Sequence, residues 1–241
     1  MRKLKLQMQV SLDGFNSTGP NDEQKWVTWA WDEIRQYVLD LANTADTELI
    51  GRKLAVDYLP YWIDVFTKPD DPMYEVAEIK ARQKKIVFTK TLETSEWENT
   101  ELAKGNLVEE VNRLKNQNGK DLIVYGGSSF VSALVKENLI DEYHLFINPI
   151  ALGRGVPIFD QLENWQQLKL KKSITCECGI VILQYDLGKP NSLCNSWAIS
   201  LAFLTTNRAS LSSSNLAKSR VFSSRGPAIT GTLYVYGSST L

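Results

Sequence analysis

The sequence predicts an α/β fold built on a mostly parallel sheet with an antiparallel end. Three observations carry this. Short β-rich runs alternate with longer segments whose apolar residues recur every three or four positions. The stretch 121–130, DLIVYGGSSF, reads as a buried strand, a glycine pair and a helix start. Near the end, residues 168–174 and 180–185 flank Gly179 as a hairpin.

In chain order, Leu4, Leu6, Met8, Val10 and Leu12 alternate with polar residues, which predicts a strand with one buried face. SLDGF at 11–15 turns into a loop. Residues 26–43 read as a helix with Val27, Ile34, Val38 and Leu41 on one stripe. A strand over 47–50 passes through Gly51-Arg52-Lys53 into a second helix, which Pro60 and Trp62 are expected to end. TKPDDP is a loop, and 74–82 a short helix. Residues 85–89 form a strand, and a weak one follows at Glu101-Leu102. Leu107, Val108, Val111 and Leu114 mark one helix face. After the 121–130 stretch, a helix runs through Phe130, Val131, Leu134 and Val135. Residues 141–150 are a strand, and LGRGVPIF reads as loop.

The chain has 241 residues, 43% hydrophobic and 23% charged, with a net charge of -1. It is globular in composition and carries no general attraction to nucleic acid. The amino end alternates polar and apolar residues, unlike a signal peptide, and no segment has the apolar length of a membrane span. Three cysteines, an odd number, argue against a disulfide framework and suit a reducing cytoplasm. From 191 to 241 there is no Asp or Glu; Arg208, Lys218, Arg220 and Arg225 are the basic residues, and serine is abundant. This composition break divides the chain into a domain over 1–187 and a Ser-rich, acid-free tail over 188–241, expected to be poorly ordered.

Several residues carry chemistry. Gly126-Gly127 at a helix start lets an anion approach main-chain N–H groups at the positive end of the helix dipole. A phosphate-bearing ligand is one reading, a tight β-α turn without ligand the other, and Ser128-Ser129 are equally suited to capping the helix. Arg52 and Lys53 open the second helix as phosphate-binding cations or as a solvated basic start. Thr89 and Lys90 end a strand where α/β sheets place ligands. Asp13, in an Asp-Gly turn, is a candidate proton source or an ordinary turn residue. Asp32 and Glu33 are candidate acids or substrate anchors, against a solvated helix face. Trp26, with Trp29 and Trp31, suits either a wall for a flat heteroaromatic ring or the core. Arg154 offers a contact to substrate phosphate or to an opposing subunit. His144, the single histidine, lies inside a strand and reads as structural. Cys176 and Cys178 share a strand face, but with Cys194 in the tail there is no fourth zinc ligand, so no metal is expected.

SLDGF at 11–15, IGRK at 50–53, VFTKT at 87–91, VYGGSS at 124–129 and LIDEYHLFINPIALGRGVPIF at 139–159 stand in a fixed order. In that order they resemble the dihydrofolate-reductase-like fold. They are nearest the family of the carboxy-terminal reductase domain of the bifunctional riboflavin-biosynthesis deaminase/reductase. The resemblance spans 1–187; the tail has no counterpart in it. It implies a three-layer sandwich whose mostly parallel central sheet is closed by an antiparallel C-terminal hairpin, with NADPH across the strand ends. It makes Gly51, Arg52, Lys53, Thr89 and Lys90 cofactor contacts. Gly126 and Gly127, often joined by a cis peptide in that family, would lie under the diphosphate and nicotinamide, and Ser128 and Ser129 would donate to phosphate. Asp13 matches the family's SLDG aspartate, and Asp32 or Glu33 falls near the substrate carboxylate of dihydrofolate reductases. The implied activity is NADPH-dependent reduction of a small heteroaromatic metabolite, such as a ribosylamino-pyrimidine. Dihydrofolate reduction and non-catalytic NADPH binding are the alternatives. A cytoplasmic homodimer is the implied state.

Overall fold

Hydrophobic alternation and turn chemistry lay out fifteen elements in the computed structural model, which describes residues 1–188 apart from 21 and 23. In order they are β1 (Leu4–Ser11), β2 (Phe15–Ser17), α1 (Trp31–Asn43), β3 (Ala45–Gly51), α2 (Arg52–Phe66), α3 (Tyr74–Arg82), β4 (Lys84–Phe88) and β5 (Thr100–Ala103). There follow α4 (Leu107–Lys115), β6 (Asp121–Val124), α5 (Ser128–Lys136), β7 (Glu142–Asn148), β8 (Val156–Pro157), β9 (Leu168–Thr175) and β10 (Val181–Leu187). The expectation of a poorly ordered tail falls on residues outside those described.

Eight strands form one sheet in the order β5-β4-β3-β6-β1-β7-β10-β9. The pairs from β5 through β7 are parallel, with Leu6 opposite Val124 and Leu49 opposite Ile86. β7–β10 and β10–β9 are antiparallel. This is the mostly parallel sheet with an antiparallel terminal hairpin that the alternation of elements predicts. Helices cover both faces, as parallel sheets require. On one face α4 and α5 pack Val111, Leu114, Val131 and Leu134 against Leu4, Leu6, Leu49, Ile86, Leu122 and Val124 in one apolar cluster. On the other, α1, α2 and α3 cover three smaller clusters around Phe146, Ile50 and Ile123.

Five details differ from the sequence reading. β1 is buried on both faces: Lys5 is 7% exposed and pairs with Asp121, while Leu12 lies beyond the strand and is exposed. Strict alternation misled here because a central strand's second face can be covered while still carrying a charge. The first helix starts at Trp31, since Trp26 Nε1 donates to Asp22 and the Thr28 amide donates to Asn148 Oδ1, drawing 26–30 into a loop. Helix α2 runs through Pro60 to Phe66, held by Leu59 and Val65, which are buried. Packing there outweighs the lost N–H and the steric penalty of proline. Within LGRGVPIF, β8 pairs antiparallel with β2 in a second sheet. Gly155 permits this, because a Cβ there would collide with the Ser17 carbonyl oxygen. Finally, no side chain caps α5; Gly127 is its N-cap residue with φ +76°, and Ser128 is already helical.

Candidate active site

The carboxyl ends of β3, β4, β5 and β6 open on a groove of about 610 Å³. Gly51, Arg52, Lys53, Thr89, Lys90, Gly127 and Ser129 all line it. The chain connects these residues only through long crossovers; the parallel register brings them together because strand ends of one sheet lie side by side. Gly51 is there for space: a Cβ would meet the Phe130 Cβ at 2.9 Å, so only glycine lets β3 finish against α5. Phe88 and Phe130, with ring centroids 5.0 Å apart, give the groove an apolar wall, and Leu54 and Leu107 extend it.

Its polar side suits an anion. Helices α2 and α5 both begin at a glycine with no side-chain cap, so their leading N–H groups face the groove uncovered. Helix α4 differs: Asn106 accepts from the Val108 and Glu109 amides and caps it. Arg52, Lys53 and Lys90 make no ion pair with another described residue. Thr89 is buried, and its hydroxyl oxygen accepts from the Thr91 and Leu92 amides, shaping the turn that presents Lys90. Gly126 and Ser128 stand outside the lining. A Cβ on Gly126 would touch Leu54 and Met8, and Ser128 Oγ accepts from Asn16 Nδ2. Among the described residues every peptide bond is trans, including Gly126–Gly127, where the family resemblance implies a cis bond.

Asp13 is exposed and fully engaged. Ser11 Oγ donates to it at 2.6 Å, and the Leu152 and Gly153 amides donate at 3.0 and 2.6 Å. The Ser11 hydroxyl first, then those amides, hold its carboxyl down to about 2. Asp13 thereby ties the β7–β8 loop to the end of β1, and Arg154 projects from that loop, exposed. Asp32 and Glu33 are both exposed on the first turn of α1, and Glu33 accepts the Cys178 amide. Trp26 is 8% exposed, with its indole N–H on Asp22, so it is a core residue and offers no open wall; Trp29 is exposed, and Trp31 donates to the Pro72 carbonyl.

Beside the glycine turn, on the α1–α2 side of the sheet, lies a polar patch that sequence reading did not find. Gln7 and Tyr125 stand one residue beyond the paired Leu6 and Val124, and the Gln7 Oε1 and Tyr125 hydroxyl are buried without a partner. Lys80 Nζ sits 3.4 Å from the Tyr125 ring centroid and 3.4 Å from Glu48 Oε1. It also bonds the Tyr58 hydroxyl. Burial pulls the Lys80 ammonium down to about 8, against the pull of Glu48. Burial first, then the Glu48 charge, pushes both Tyr58 and Tyr125 well above the ordinary phenol range. These residues carried no signal because each looks like an ordinary helix or strand residue. Asn106 and Phe130, in the groove, had one: a Gly-Asn pair before a helix and an aromatic just past the glycine turn.

Comparison with known proteins bears on the family and the fold. Residues 2–182 match the model of the RibD C-terminal domain. The uncharacterized protein YyaP of Bacillus subtilis is 34% identical over 187 residues, covering 76% of this chain and 94% of its own length. A putative riboflavin biosynthesis protein from Shewanella superposes with a TM-score of 0.57 at 22% identity, over 78% of this chain and 100% of its own. A diaminohydroxyphosphoribosylaminopyrimidine deaminase/5-amino-6-(5-phosphoribosylamino)uracil reductase from Thermotoga maritima also reaches 0.57, at 17% identity, over 78% of this chain and 57% of its own. Those two likenesses concern the fold. With the family model spanning three quarters of the chain, the protein belongs to the RibD C-terminal domain family.

Proposed function

We propose that the protein is an NADPH-dependent reductase of a small heteroaromatic metabolite, of the pyrimidine class handled in riboflavin biosynthesis. The observation that carries this is the shared groove. Two uncapped helix starts and three cations without ion-pair partners converge on one strand-end cleft with an aromatic wall. That donor set fits a dinucleotide. The amides at the starts of α2 and α5 and the Ser129 hydroxyl would bind the diphosphate, and Arg52, Lys53 and Lys90 the 2′-phosphate. Gly51 and Gly127 keep the groove floor free of side chains. When bound, the nicotinamide supplies the hydride.

The chain's own residues orient the other reactant. Gln7 and Tyr125, outside the groove lining, hold buried polar atoms without partners next to the Gly126–Gly127 turn, an acceptor and a donor that a ring bearing both N–H and C=O groups would satisfy on displacing what covers them. Asp13, ionised at neutral pH, is a positioning residue: it ties the β7–β8 loop, which carries Arg154, to the end of β1. In this reading the proton reaches substrate from ordered water and not from Asp13. Dihydrofolate reduction calls for a buried carboxylate on the first helix to hold the pteridine, and the exposure of Asp32 and Glu33 weighs against it.

The test is a pair of titrations, NADPH and NADH, followed by protein fluorescence and thermal shift. NADPH is expected to bind the more tightly. Arg52→Ala or Lys90→Ala should lose about 10- to 100-fold in NADPH affinity with little change for NADH, one charge-assisted phosphate contact being worth about 1.5–3 kcal/mol. No shift with either nucleotide would sink the proposal. Tight binding without turnover on a panel of pyrimidines, pterins and quinones would leave a binding module in place of an enzyme.

A further inference from the structure

The tip of the β9–β10 hairpin carries a group of side chains that the proposed reduction does not use. Cys176 and Cys178 flank Glu177 there. The turn is closed by the Cys176 amide donating to the Ile180 carbonyl at 2.9 Å and the Gly179 amide donating to the Cys176 carbonyl at 3.0 Å. Gly179, at φ +90°, makes this reversal possible. Both cysteines are free thiols, half-buried against the cluster around Ile34 and Phe146. Helix α1 crosses the hairpin here, and the Cys178 amide donates to both carboxylate oxygens of Glu33, at 3.1 and 3.2 Å. That contact holds an exposed carboxylate in place beside two sulfurs. One oxygen of Glu33 and the two Sγ atoms all lie within 4.8 Å of one another.

We propose that Glu33, Cys176 and Cys178 form a binding site for a thiophilic divalent cation, zinc by its chemistry, with a fourth position open to water. Two thiolates and a carboxylate are a donor set that zinc accepts, and three protein ligands with one open place is a usual arrangement for an exposed zinc ion. Bond lengths of about 2.3 Å to sulfur and 2.0–2.2 Å to oxygen place tetrahedral ligand atoms roughly 3.5–3.8 Å apart. From 4.8 Å the three atoms therefore need to draw in by at most about 1.3 Å, within the reach of rotamer adjustment at an exposed hairpin tip. A carboxylate has lone pairs enough to keep the Cys178 amide while binding the ion. On binding, each thiol forms a sulfur–metal bond and releases its proton to solvent, so two protons leave per cation. His144 is no competitor, being buried with its ring nitrogens against Tyr37 and Glu142. Two ligands separated by one residue and a third from α1 give no linear motif, which is why counting cysteines finds too few ligands. The ion would pin the first turn of α1 to the hairpin, and Glu33 would serve the metal and not the substrate.

The test uses the full-length chain, reduced and stripped of metal, titrated anaerobically with Co²⁺. The expected result is thiolate-to-cobalt charge-transfer absorption that saturates at one equivalent and is displaced by Zn²⁺. Cys176→Ser and Cys178→Ser should each abolish it, and Glu33→Gln should weaken binding about tenfold or more. Cys194→Ser should leave it intact. X-ray absorption of the zinc-loaded wild type, which needs no variant to fold, should find two sulfur neighbours at about 2.3 Å. Absence of charge-transfer absorption in the reduced protein, a band that survives both cysteine changes, or an unchanged affinity in Glu33→Gln overturns the site.

Discussion

The two faces of the central sheet are built by different rules. The face under α4 and α5 is one continuous apolar cluster, with Leu4, Leu6, Leu122, Val124, Val131 and Leu134 all fully buried. The face under α1, α2 and α3 is broken by Lys5, Glu48, Lys85, Glu142 and His144, each less than a tenth exposed. Tyr37 and Glu142 bracket His144 at 2.6 and 2.7 Å, and Lys80 reaches in from α3 to Glu48. The first face holds the molecule together by excluding water. The second holds charges that must find one another, and its polar patch borders the glycine turn. The strand-end groove adjoins the apolar side, because Phe88, Phe130 and Leu107 line it and pack against that cluster.

The largest effect expected from this contrast is at Lys80. Lys80→Met leaves Glu48 charged, buried and without its cation, which should cost about 3–5 kcal/mol in chemical denaturation. Leu122→Met on the apolar face, where shape and not charge matters, should cost less than about 1.5 kcal/mol. Similar losses for the two would erase the distinction between the faces. Adding Glu48→Leu to Lys80→Met should recover much of the loss, because an ion pair removed whole leaves no orphan charge.

Next comes acid sensitivity. The His144 contact, followed by that of Lys3, holds the Glu142 carboxyl down to about 2 from 4.5, despite burial. A depressed carboxylate stabilises the folded state fully above about 4.5 and progressively less as pH falls through 2. Melting curves across that window should show a loss of stability that is smaller in Glu142→Gln by about 1–2 kcal/mol, the remainder coming from other depressed carboxylates such as Asp13 and Asp22. An unchanged acid profile in the variant would mean that this pair contributes nothing. In the groove, Gly51→Ala should cost about 1–3 kcal/mol, since the new methyl meets Phe130 at 2.9 Å, and should weaken NADPH binding as well. The smallest effect is local. Asp13→Asn should raise amide exchange at Leu152 and Gly153 while the melting temperature barely moves, because Asp13 ties one exposed loop.

Much of this was legible in the chain. The helix over 74–82, the strand around Ile86 and the helix with Val111 on its inner face follow from periodicity alone. The turns at Gly51, Thr89 and Gly127 read equally as tight turns with solvated cations, and the family resemblance was what made them cofactor contacts. Other readings failed where tertiary contacts outbid local preference. Pro60 lies inside a helix because buried Leu59 and Val65 hold both sides of it. Trp26 turned inward because Asp22 offered its indole a partner. Ser128 gave its hydroxyl oxygen to Asn16, far away in sequence, and not to its own helix.

Local pattern in the chain laid out the strands and helices other than β2 and β8, the apolar face and the residues that end the strands. These depend on neighbours a few positions apart, where period and turn chemistry act. It took the folded domain to bring Gly51, Thr89 and Gly127 into one groove, Lys80 to Glu48, and Glu33 to two cysteines. Each of those rests on strand register and helix docking, which sum contacts from across the whole domain and leave no local trace.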